Sequence, residues 1–106
     1  MKKWLLVLVL VSSASESGEF VVYGSGAISC GKWSAARKTE DDWPQHGQWI
    51  QGYLVARAEM GANLQRTDQE RINLWVDDYC KGNAMNDILD AARVLVDELE
   101  QKPSQP

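Results

Sequence analysis

Cys30 and Cys80 are the two cysteines of a 106-residue chain, and a bridge between them would close a loop spanning 50 positions. Whether they bridge depends on the compartment in which the chain folds. The start bears on that: Lys2 and Lys3, an apolar run from Trp4 to Val11, and small residues up to Ala14 read as a secretory signal peptide. The run is 8 residues long, far below the roughly 20 that span a bilayer as a helix. Residues 1–14 are therefore expected to be an export address. Its removal leaves a mature protein of 92 residues, periplasmic or secreted, with no membrane attachment. Disulfides persist in such compartments, and a loop of this length is stabilised by roughly 4 kcal/mol. A redox or nucleophilic cysteine would need a neighbouring base or a Cys-x-x-Cys pairing. Neither cysteine has one in the sequence, so a structural disulfide is expected.

Loss of Lys2 and Lys3 moves the formal charge from −4 to −6. An acidic domain lacks the clustered Lys and Arg of a nucleic-acid binder, so no nucleic-acid partner is expected.

Along the chain, residues 15–28 carry Gly18, Gly24 and Gly26 around a short Phe20-Val21-Val22-Tyr23 run with no β-branched partner downstream. They are expected to form an extended arm. The helical domain, residues 29–100, begins at Ser29 as an N-cap, with Cys30, Trp33, Ala36 and Arg37 at helical spacing, and its first helix ends near Lys38. After a polar turn closed by Pro44, a second helix is predicted from about Gln45 to Ala62, with Trp49, Tyr53, Ala56 and Met60 on one stripe. Gly52 in its middle predicts close approach of another helix. Thr67-Asp68-Gln69-Glu70 fits a capping box for a third helix carrying Ile72, Trp75, Val76 and Tyr79 to Cys80, with Gly82 as terminator. Asn83 is the expected cap of a fourth helix, through Met85, Ile88, Leu89, Ala92, Leu95, Val96 and Leu99. Residues 101–106 read as a disordered tail. The expected fold is all-α: a small four-helix orthogonal bundle stapled by one disulfide.

Chemistry is scarce in the pattern. His46 is the single histidine, so any triad must use it, and beside Pro44 and Gly47 it reads as an exposed or capping residue. Glu40-Asp41-Asp42 and Asp77-Asp78 lack the spaced Asp-x-Asp-x-Asp-Gly pattern of a calcium loop and read as solvated acidic surface. The carboxylates of Asp97, Glu98 and Glu100 have no cleft in the pattern, and Gly24-Ser25-Gly26 lacks the spacing and lysine of a phosphate loop. No catalytic residue, metal site, cofactor or enzymatic activity is expected. The tryptophans are more informative. Trp33, Trp49 and Trp75, with Tyr53 and Tyr79, are expected in the core. Trp43, with Asp41 and Asp42, is the candidate partner-binding patch, and exposed aromatics leave a homodimer open.

Cys30-Gly31-Lys32-Trp33 with Arg37, Trp49-Ile50-Gln51-Gly52-Tyr53-Leu54, Trp75-Val76-Asp77-Asp78-Tyr79-Cys80, and Ala91-Ala92 with Leu95-Val96-Asp97-Glu98-Leu99 together resemble small periplasmic proteins of the HdeA/HdeB-like type. The likeness spans residues 30–100. It implies a single-disulfide helical domain and an ATP-independent acid-stress chaperone that binds unfolded clients. A charge swing from −6 to +10 on full protonation of the mature chain would loosen compact states by self-repulsion. The layout is also similar to Tai-type periplasmic immunity proteins, which implies an alternative: an inhibitor neutralising a secreted toxin, its acidic charge matched to a basic partner.

Overall fold

The computed structural model describes residues 21–39 and 43–101. Residues 1–14, the first part of the expected arm, Glu40 to Asp42, and residues 102–106 lie outside the described residues. Four helices follow a short 3₁₀ turn at Gly24–Ala27: α1 Cys30–Thr39, α2 Trp43–Glu59, α3 Gln69–Lys81 and α4 Ile88–Leu99. The described residues contain no strand, only isolated antiparallel bridges between Ser29 and Asp87 and between Leu64 and Glu100. The fold is all-α.

Each helix start has a local cause. Ser29 caps α1 by accepting the amide of Lys32 on its Oγ at 3.1 Å. Helix α2 begins at Trp43, two residues before the expected Gln45, because Pro44 suits a first helical turn, where its missing N–H has no intrahelical partner to lose. It ends at Glu59 rather than Ala62, and Gly61 follows at φ +116, a left-handed conformation open to glycine. For α3 the cap is Asp68, not Thr67: its carboxylate accepts the Arg71 amide at 2.9 Å. Helix α4 starts five residues after the expected Asn83, behind a reciprocal box of Asp87 and Asp90 at 2.8 and 3.1 Å. Asn83 instead closes α3, donating from its side chain to the Tyr79 carbonyl at 2.8 Å. Met85 is thereby left 94% exposed, not in a helical stripe.

The amphipathic face of α4 supplies Ile88, Leu89, Ala92, Leu95 and Val96 to the core, where Trp33, Ile50, Ile72 and Val76 meet them. Cys30 and Cys80 are bonded inside this core, their Cα atoms 5.1 Å apart. The segment before α1 is not an extended arm where it is described. Gly26 is buried, the Ile28 carbonyl accepts the Ile88 amide at 2.9 Å, and the Cys30 amide donates to Asn86 at 2.7 Å. The far end is tied as well: Gln101 donates to the Asn63 carbonyl at 2.8 Å, so the helical unit runs one residue into the expected tail. Gly52 corrects an expectation outright. It is exposed with no heavy atom within 4 Å of where a Cβ would stand, and no helix approaches it.

Candidate functional site: the α1 and α3 seam

Trp33 and Arg37 lie four residues apart on α1, so both side chains face the same neighbour. That neighbour is Asp77 on α3. Its Oδ1 accepts the Trp33 indole N–H at 2.8 Å and Arg37 Nε at 2.9 Å, while Oδ2 accepts Arg37 Nη2 at 2.7 Å. The Arg37 fork is thus bidentate, the geometry in which guanidinium and carboxylate pair best. Arg37 also lies over the Trp33 ring, 5.8 Å from its centroid. The disulfide sits at the other end of the same seam. As α1 advances from Cys30 to Arg37, its partners recede along α3 from Cys80 to Asp77.

Burial alone would push the Asp77 carboxyl up. The hydrogen bonds from Arg37 and Trp33, with the charges of Arg37 and Lys81, outweigh it and hold the group below the usual carboxylate range. Asp77 therefore gives up its charge later than an ordinary aspartate as pH falls. Above it lies an open groove of about 760 Å³ lined by Arg37, Lys38, Leu74, Asp77, Asp78 and Lys81. Leu74 is 55% exposed there, an apolar contact between charged walls. The carboxylate at the floor of the groove is already engaged by Arg37, and an exposed apolar side chain between charged walls is a surface suited to binding.

Among the aromatics expected in the core, Trp33 is wholly buried. Trp49, Tyr53, Trp75 and Tyr79 stand half-buried at its margin, packed against it. They form two stacked pairs, Trp49 on Tyr53 with centroids 5.8 Å apart and Trp75 on Tyr79 at 5.5 Å. Tyr79 accepts a hydrogen bond from Asn86 on its hydroxyl at 2.8 Å. Trp43 opens α2, but its side chain, with Asp41 and Asp42, lies outside the described residues, so the structure does not place that candidate patch.

Two sequence expectations change. Asp77 is not solvated acidic surface. Val76 before it and Cys80 one turn later are buried, which puts Asp77 on the inward margin of α3. His46 is neither exposed nor a cap: it is 8% exposed, tilted against Trp33 at 6.5 Å, with Nδ1 2.7 Å from Ser25 Oγ. No sequence spacing links residues 25 and 46. The 3₁₀ turn brings them together.

Fold and site define an all-α domain whose first and third helices are joined by a disulfide at one end and an ionic cluster at the other. No protein-family model, no characterised protein and no solved structure matches the chain. No described helix is long and apolar enough to cross a membrane.

Proposed function

We propose that the chain is an exported, periplasmic or secreted protein-binding domain of the acid-stress chaperone kind, holding unfolded proteins without ATP. The observation that carries this reading is the engagement of Asp77. A single carboxylate satisfies both the indole of a wholly buried tryptophan and the guanidinium that lines the groove. Once acid neutralises it, Arg37 loses its counter-charge and α1 loses an anchor on α3. Leu74 then becomes continuous with the apolar surface behind Trp33, giving unfolded chains a place to bind. The disulfide keeps the two helices tethered while the seam loosens.

The test is aggregation of an unrelated acid-unfolded protein at about pH 2.5, with and without the purified domain. Suppression at near-equal molar amounts, absent at neutral pH, supports the reading. An unchanged aggregation trace in acid overturns it.

A further inference from the structure

The 3₁₀ turn carries a second polar pair, whose histidine packs against the Trp33 ring of the seam. Ser25 Oγ lies 2.7 Å from His46 Nδ1, a distance at which a serine hydroxyl donates to an unprotonated imidazole nitrogen. The partners come from different elements, the turn and the first turns of α2. Both border an open cleft of about 500 Å³ whose walls include Gly24, Ile28, Gln45, Gln48 and Trp49. His46 is held in a largely dry setting, whereas Ser25 is only half-buried.

The position of Ser25 is fixed. Gly24 takes φ +74, which favours glycine, and a Cβ on Gly26 would overlap the Trp49 ring. Trp49 locks the turn from the other side by donating its indole N–H to the Tyr23 carbonyl at 2.9 Å. A serine preorganised on a locked turn, bonded to a buried histidine and open to a cleft, has the geometry of an activated nucleophile.

We propose that Ser25 is a nucleophile activated by His46 and that the cleft accepts small acyl esters. Ser25 Oγ attacks the acyl carbonyl carbon while its proton passes to His46 Nδ1, the imidazole being protonated at Nε2 beforehand. The tetrahedral intermediate collapses, the bond to the leaving oxygen breaks, and Nδ1 returns the proton to the departing alcohol. The acyl group then rests on Ser25. Water attacks it, giving a proton to Nδ1 that goes back to Oγ as the carboxylic acid leaves. Ile28 and Trp49 offer an apolar wall for a short acyl chain, and the Gln45 and Gln48 amides supply donors suited to a carbonyl oxygen.

The experiment treats the full chain with an alkyl fluorophosphonate and, separately, with p-nitrophenyl acetate. The phosphonate is expected to add once, with peptide mapping placing it on Ser25 and not on Ser29 or Ser34. S25A, checked for an unchanged circular dichroism spectrum, loses the adduct and the ester hydrolysis above buffer. H46Q retains a side chain able to hold the serine but unable to relay its proton, so both rates fall about a hundredfold. Absence of an adduct, an adduct shared equally with Ser29 and Ser34, or one that persists in S25A overturns the proposal and leaves the pair a structural hydrogen bond. S25A decides the matter alone where H46Q does not fold.

Discussion

Replacing Asp77 with Asn tests the seam with almost no change of shape. The amide oxygen can still accept the Trp33 indole, but the second position is an NH₂ facing the Arg37 guanidinium. The 2.7 Å bond to that position is lost, and the 2.9 Å bond to the retained oxygen no longer has a carboxylate as its acceptor. Hydrogen bonds to charged groups contribute roughly 1.5–3 kcal/mol each. With Arg37 and Asp77 side chains 25% and 30% exposed, solvent screens part of that, and a net loss of about 2 kcal/mol is expected. For a domain of this size each kcal/mol is worth about 4–8 °C, so the melting temperature at neutral pH should fall by roughly 10 °C. The pH dependence is the stronger discriminator. A folded-state pKa below the ordinary value means that Asp77 contributes stability above the unfolded value, near 3.9, and that this is lost as pH falls through the folded pKa. Urea unfolding followed by far-UV circular dichroism at neutral pH and at about pH 2 should therefore show a clearly smaller gap between wild type and D77N in the second case than in the first. A gap of equal size at both values, or none at neutral pH, refutes the reasoning. R37Q in a double-mutant cycle should recover most of the loss as coupling between the two residues.

Gly52→Ala should raise stability by about 0.5–1 kcal/mol in urea titrations, because the position is an exposed helix interior with open space around it. Gly26→Ala should act in the opposite sense, since the added methyl meets the Trp49 ring; a lower melting temperature and altered tryptophan fluorescence should report release of the turn. Reducing the Cys30–Cys80 bond should cost about 4 kcal/mol by loop-closure reasoning, read as a shift of the urea midpoint with and without reductant. Asp87→Ala removes the acceptor for the Asp90 amide and should cost about 1 kcal/mol, with helicity falling on thermal melts.

The helices were legible where burial imposes a period. Ile88, Leu89, Ala92, Leu95 and Val96 repeat at helical spacing because one face of α4 is covered and the other is not. Their boundaries were less so, because several polar residues compete for each cap. Thr67 and Asp68 can both accept an amide at the start of α3, and Asp68 does because it stands three residues before Arg71 in the geometry adopted. Asn83 and Asp87 both suit the start of α4. Asn83 is taken up by the Tyr79 carbonyl, which delays the helix. Gly52 misled for a related reason: a glycine shows that space for a close approach exists, not that anything occupies it.

The polar cluster of the seam was harder to read than the disulfide, and the cause is the reach of each signal. Two cysteines have one intramolecular pairing available, so chemistry alone points to the bond. A carboxylate has many prospective partners, and Asp77 beside Asp78 carries no mark of which faces inward. The distinction comes from register. On α3, Val76 and Cys80 point to the core, and Asp77 follows Val76 by one step of about 100°. Asp78 lies a further step round and is exposed. Arg37 had a comparable clue, four residues after a tryptophan that had to be buried. Helical phase therefore selects one aspartate of the pair as the anchor of the seam, and a comparison of D78N with D77N tests that directly: D78N, at an exposed position, should leave the neutral-pH stability near wild type.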